Sequence, residues 1–194
     1  MFYRTFFAFS LFTSFLIAQD TLMTFENTTL STWKKNAIWK VENDTHSKIL
    51  SLLKRSSSAF NLCYTPKVSF LNGSITVNFR ANSGHIDQGG GIMWRVQDDN
   101  NYYIARFNPL EDNFRFYLVH EGIRDEISSA NLHISKGWHS MKIIQQGNTF
   151  KGFIDGKPYL NATDTRLNKR GSVGVWTKAD AMTSFDDLNI STNK

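Results

Sequence analysis

The chain holds one cysteine and three prolines in 194 residues. A lone Cys63 can form no intrachain disulfide, so the fold must rest on a buried core, which a chain of this length can supply. Cys63 lies in the alternating run Ala59-Phe60-Asn61-Leu62-Cys63-Tyr64 and reads as a small buried hydrophobe in a strand. A nucleophilic role would need His and Asn partners that only the fold could bring to it. The five histidines (His46, His85, His120, His133, His139) show no i,i+2 or i,i+4 pair, and without cysteine ligands they form no zinc motif. Gly89-Gly90-Gly91 lacks the Lys-Ser/Thr that completes a phosphate loop, and it precedes a strand. It reads as a hinge or a close backbone approach. The net charge of +5 is too small to name a nucleic-acid partner.

Long apolar runs are also missing, with one exception at the start. Met1 to Ala18 carries one charge, Arg4, then the apolar stretch Phe6 to Ile17, and closes on the small Ala18. That layout is a secretory signal peptide (residues 1–18) cleaved before Gln19. The run is too short to span a bilayer comfortably, and no second one follows, so no transmembrane segment is expected. No cysteine follows the cleavage point to carry a lipid anchor. The expected product is residues 19–194, exported to the periplasm or the extracellular space, one domain with a net charge of about +4.

No window beyond Leu22 holds an apolar face at helical spacing for more than about two turns. Short alternating runs separated by turn residues predict an all-β chain, a sandwich or barrel. Gly73 to Arg80 alternates Ile, Val and Phe with Thr, Asn and Arg, one half-buried strand. Asn72-Gly73, Gly147-Asn148 and Asp155-Gly156 each suit a tight hairpin turn. Pro66, Pro109 and Pro158 sit where strands begin or end. Ala130–Lys136 is the one stretch left open to a helical turn.

Register can be argued between Gly89 and Val119. With Asp98 to Asn101 as a hairpin loop, Gln97 faces Tyr102, Arg95 faces Ile104 and Met93 faces Arg106. Ile92, Trp94, Val96, Tyr103, Ala105 and Phe107 then share an apolar face, which a one-residue slip would destroy. With Pro109 to Asp112 as the next loop, Phe107 pairs with Phe114, Ala105 with Phe116, Tyr103 with Leu118, Arg106 with Arg115 and Ile104 with Tyr117. Arg95, Arg106 and Arg115 thus come to one non-core face with Tyr102, Tyr117, Met93 and Gln97. Like charges across a ladder cost up to about 1 kcal/mol, so something must offset them. Two roles stay open for this face. It is an ordinary wet surface on which carboxylates neutralise the arginines, or a concave face binding an oxygen-rich ligand such as a glycan. In the second case arginine forks bind hydroxyls and tyrosine rings lie against sugar. Trp176, beside Lys178 and Asp180, is either an exposed stacking platform of the same kind or a plug for the sandwich end. Trp33, Trp39 and Trp138 are expected in the core or at sheet edges.

Several strings carry a resemblance. They are Gly89-Gly90-Gly91-Ile92-Met93-Trp94-Arg95, Asn101 to Asn113, Gly137-Trp138-His139, Asp155-Gly156-Lys157, and Gly171 to Asp180 followed by Thr183 to Leu188. Together they resemble the concanavalin A-like lectin/glucanase superfamily, within it the laminin G-like bacterial exported domains grouped with the 3-keto-disaccharide hydrolase domain family. The resemblance spans roughly Thr24 to Ile190 and implies a two-sheet antiparallel jelly-roll β-sandwich with carbohydrate binding or hydrolysis as its usual work. The glucanase pattern of two glutamates flanking an aspartate on one strand has no counterpart among Glu26, Glu42, Glu111, Glu121 and Glu126. The leading expectation is a non-catalytic lectin-like module binding through Arg95, Tyr102, Arg106, Arg115, Tyr117, Trp176 and Lys178. One alternative is a hydrolase or lyase on a 3-keto-disaccharide or related glycan, with acid/base work by Asp98, Glu111 or Asp112. Another is an adhesion or scaffold domain with a protein partner. The resemblance also implies a structural Ca²⁺ where the first and last strands meet, with Glu26 and Asp187 as candidate ligands and a bulge at Asp186-Asp187.

Overall fold

A computed structural model describes residues 18–45 and 47–193. The leader expected at residues 1–18 therefore lies outside the described residues, apart from Ala18. Fifteen strands run through the described chain: β1 (Ala18–Met23), β2 (Lys34–Lys35), β3 (Ile38–Asn43), β4 (Lys48–Lys54), β5 (Phe60–Phe70), β6 (Gly73–Ser83), β7 (Gly90–Asp98), β8 (Asn101–Asn108), β9 (Asn113–His120), β10 (Ile123–Asn131), β11 (His139–Gln146), β12 (Thr149–Ile154), β13 (Lys157–Thr163), β14 (Gly171–Lys178) and β15 (Met182–Asn193). Among the described residues the helical content is one short turn at Leu30–Thr32. The first sheet has the order β13-β12-β11-β6-β15-β4-β3, with β1 also paired to β15, and the second has the order β10-β9-β8-β7-β14-β5-β2. This is the all-β, two-sheet antiparallel jelly-roll sandwich of the concanavalin A-like kind.

The core lies between the sheets, where period-two alternation delivers one face of each strand. From β6 come Ile75, Val77 and Phe79; from β8 and β9 come Tyr103, Ala105, Phe107, Phe114, Phe116 and Leu118. Trp94 stacks on Tyr103 at 5.4 Å and meets Phe116 and Phe150 edge-on at 5.8 and 5.6 Å. Its indole N–H donates to Gln145 Oε1 at 2.9 Å, so the buried polar atom is satisfied. Cys63 is fully buried among these residues, and burial pushes its thiol up to about 12, which leaves it an inert core residue.

The turns follow the expected chemistry. Asp155 and Gly156 take φ of 49° and 76° between β12 and β13, and Gly147 takes 57° between β11 and β12. The helical turn left open at Ala130–Lys136 does not form. Ala130 and Asn131 extend β10 by pairing with Phe114 and Asn113.

The β8–β9 hairpin has the expected register, with Arg106 opposite Arg115, Ile104 opposite Tyr117 and Phe107 opposite Phe114. The β7–β8 hairpin does not. Asp98 pairs with Asn101, but a bulge between Trp94 and Asp98 shifts the ladder so that Met93 faces Ile104 and Gly91 faces Arg106. Arg95 sits in that bulge at a φ of 47°. Against β14 the shift is one residue, Met93 facing Gly174 and Val96 facing Ser172; one extra residue reverses the faces beyond it, and Val96, expected in the main core, packs in the cluster on the outer face instead.

That outer face of the second sheet is concave. Strands lie about 4.8 Å apart, so in a flat sheet β14 would be roughly 19 Å from β10. Yet Arg124 of β10 reaches over Tyr117 of β9 (4.3 Å to the ring), Phe60 of β5 (5.7 Å) and Trp176 of β14 (5.9 Å). Only a strongly curved sheet brings those strands under one side chain.

Candidate functional site

The concave face has a buried floor and a polar rim. Leu62, Tyr64, Met93, Tyr102, Ile104, Tyr117, Val119 and Trp176 form a second apolar cluster, roofed by Phe60 and Arg124. Three polar atoms in it have no hydrogen-bond partner among the described residues: Tyr102 Oη, Trp176 Nε1 and Arg124 Nη1. Beside the cluster, Arg106 and Arg115 lie across the ladder from each other, as their spacing requires.

Carboxylates offset the two like charges. Arg106 is buried and its Nη2 donates to Asp87 Oδ2 at 2.9 Å and to Glu111 Oε1 at 3.1 Å. The other oxygen of Glu111 lies 3.4 Å from Arg115 Nη1, so one carboxylate bridges both guanidiniums. Both arginines also donate to Tyr117 Oη, at 3.4 and 3.2 Å. Arg115 Nε donates to Ser129 Oγ at 3.0 Å and lies 3.3 Å from Glu126. Lys178 approaches the same Asp87 oxygen at 3.5 Å.

Asp87 is placed by backbone. Asp180 accepts the N–H groups of His85, Ile86 and Asp87 at 2.8 to 3.0 Å, which fixes the loop before β7, and those bonds hold its own carboxyl low, at about 2. Gly89 N–H donates to Asp87 Oδ1 at 2.7 Å. A Cβ on Gly89 would fall 2.3 Å from Arg106 Nε. The triple glycine is therefore the expected close approach: Gly89 to the arginine, Gly90 to the Thr183 side chain and Gly91 to the Ala105 carbonyl.

Of the seven residues expected to bind ligand, four come together: Arg106, Arg115, Tyr117 and Lys178. Arg95 is a correction. Its bulge turns it off the face, and its guanidinium donates to the carbonyls of Leu71 (2.9 and 3.0 Å), Leu167 (2.7 Å) and Gly147 (2.6 Å), pinning three loops. Tyr102 and Trp176 share the face but are fully buried, and Tyr117 lies under Arg124, so none of the three offers a bare ring. Trp176 is thus buried in the floor of the face and is not an exposed platform. Sequence reasoning missed Asp87 and Arg124 altogether, and named Glu111 for acid/base work instead of bridging.

The corner of the first and last strands carries the expected bulge, between Asp186 and Asn189, with Asp187 at a φ of 49°. Glu26 lies beyond the end of β1 and accepts the Lys48 N–H, while Asp187 accepts from Asn78 Nδ2 at 3.1 Å. Among the described residues no three His, Cys, Asp or Glu side chains are grouped to hold a metal ion. The two candidate ligands at this corner, Glu26 and Asp187, are thus each engaged by a protein donor.

The family described as the 3-keto-alpha-glucoside-1,2-lyase-like domain matches residues 23–191. The chain belongs to that family. No curated protein matches it. Solved structures share the fold of this chain at low identity. The carbohydrate-binding module CBM66 from Bacillus subtilis has a TM-score of 0.69 at 18% identity, covering 83% of this chain and 96% of that one. A Bacillus subtilis protein of unknown function with a galectin-like fold gives 0.66 at 12%, covering 92% and 100%. A Bacillus licheniformis beta-glucanase gives 0.63 at 15%, covering 90% and 98%.

The three carboxylates considered for acid/base work are all engaged. Asp98 caps its own turn by accepting from Asn100 N and Asn101 Nδ2, and Asp112 meets His133 at 2.9 Å. Burial would raise the Glu111 carboxyl, but hydrogen bonds from Arg106 and Asn113 and the charges of Arg106 and Arg115 outweigh it and hold the group at about 2. It is ionised at neutral pH and a poor general acid. Because the folded value lies below the ordinary 4.5, the stability Glu111 contributes is complete above pH 4.5 and is lost as pH falls toward 2. Urea unfolding of wild type and Glu111→Gln across pH 7 to 2.5 checks this. The stability gap between the two proteins should be constant down to about pH 4.5 and close below it.

Proposed function

We propose that the chain is an exported, non-catalytic glycan-binding module whose ligand lies across Glu111, Arg115 and Lys178 at the rim of the concave face. One observation carries this reading. The side chains of Glu111, Arg115 and Lys178 keep 40%, 29% and 30% of their surface in solvent, although Glu111 and Lys178 are tied to the buried Arg106–Asp87 pair and Arg115 to Glu111. A polar patch held in place before binding loses little side-chain entropy when ligand arrives. Its mixture of guanidinium and ammonium donors with a carboxylate acceptor suits hydroxyl groups, which donate and accept at once. A polyanion would meet Glu111 and Glu126.

The family description, with its 3-keto-glucoside, supports a glycan as the ligand. The ionised, doubly paired Glu111 favours binding over lyase or hydrolase chemistry. The leader pattern at residues 1–18 supports export. The test is a glycan array with the purified 19–194 chain, paired with product analysis on a 3-keto-glucoside. Retention of a glycan without product release is the expected result. Product release would replace this reading with the catalytic one, and an array without signal together with no product would remove both.

A further inference from the structure

The outer face of the first sheet carries a second polar pocket, on the far side of the sandwich from the rim above. Alternation along β6 sends Ile75, Val77 and Phe79 into the core and leaves Thr76, Asn78 and Arg80 facing outward. Across the ladder Asn78 faces Asp186 of β15. The β3–β4 turn, closed by the bond from Asp44 N to Ser47 O, brings Asp44 and Ser47 to the same place. With Trp138 these groups line an open depression of about 390 Å³, within the range of small-molecule sites.

Trp138 is the unusual member. It was expected in the core or at a sheet edge, but it is 36% exposed, whereas the other four tryptophans are at most 7% exposed. Solvent exposure of so large a ring leaves hydrophobic stabilisation unused. The ring is nevertheless fixed. Arg80 lies 4.7 Å from its centroid and donates to Asp44 at 3.0 Å and to Asn82 at 2.9 Å. Asp186 is oriented by Ser47 Oγ at 2.9 Å.

We propose that this pocket is a saccharide site for one neutral pyranose ring. One face of the Trp138 ring is covered by Arg80, and the sugar's C–H face lies against the other, where an aromatic ring offers apolar area with few torsions to freeze. Its hydroxyls donate to Asp44 and Asp186 and accept from the Asn78 amide. Two carboxylates against one guanidinium make an anionic sugar unfavourable here. Taken with the function proposed above, on which this last step rests, one chain would carry two glycan sites on opposite faces. It could then hold two strands of a polymer at once, with the avidity that linked sites confer.

Tryptophan emission tests the site directly, since Trp138 is the ring solvent reaches. The probes are the methyl glycosides of glucose, galactose and mannose, with glucuronate as the anionic control. At least one neutral glycoside should shift the emission saturably, and glucuronate should not. Trp138→Ala should abolish the response, and Asp44→Asn should weaken it at least tenfold. Arg115→Ala/Lys178→Ala should leave it intact, which separates this pocket from the concave rim. Silence from all three neutral glycosides, a response to glucuronate, a response that survives Trp138→Ala, or one lost with the Arg115/Lys178 pair would each overturn the proposal.

Discussion

Arg106→Ala should destabilise the domain by about 3–5 kcal/mol, the usual effect of stranding the partner of a buried ion pair. At this chain length that is a fall in Tm of roughly 6–20 °C. The magnitude follows from what is left behind. Asp87 is fully buried and would retain only Gly89 N–H and the more distant Lys178 ammonium, while Glu111 would lose the guanidinium that outweighs its burial. Arg106→Ala/Asp87→Ala should therefore lose less than the two single changes together, by about 1–3 kcal/mol. Thermal unfolding of the four proteins measures both quantities. A single-variant loss under about 1 kcal/mol would mean that the pair is merely solvated surface. One consequence is practical: Arg106 cannot report on ligand binding by itself, because its removal disturbs the scaffold beneath the rim.

Much of the scaffold was legible because it is local. Strand alternation and the Asn-Gly, Gly-Asn and Asp-Gly turns act over two to eight residues, and they locate β6, β11, β12 and the β8–β9 register that sets Arg106 against Arg115. The bulge at Arg95 was hidden for the opposite reason. A positive φ at an arginine has no local marker, and a single inserted residue redirects that side chain to three loop carbonyls. The burial of Tyr102 and Trp176 was equally unreadable, since it depends on a sheet curvature that brings β10 over β14 and β5. Asp87 is paired with an arginine nineteen positions later, and its nearest clue was the run of glycines beside it. Arg124 could have been found. Its alternation with Glu126 places both on one face of β10, had Ile123–Asn131 been read as a strand throughout.

What remains of the expected site is smaller and more polar than the sequence suggested: a rim of Glu111, Arg115 and Lys178 above a filled aromatic floor. Arg115 and Lys178 are partly exposed, so their loss should cost at most about 1 kcal/mol of stability. Each charged hydrogen bond they give to a ligand hydroxyl is worth about 1.5–3 kcal/mol, or roughly 10- to 150-fold in affinity. The decisive measurement is a calorimetric titration of Arg115→Ala/Lys178→Ala with the glycan that binds the wild-type chain best. A Kd raised about 100-fold or more, with Tm within about 4 °C of wild type, is expected. An unaltered Kd in a folded double variant would contradict the assignment of this rim as the place where ligand binds.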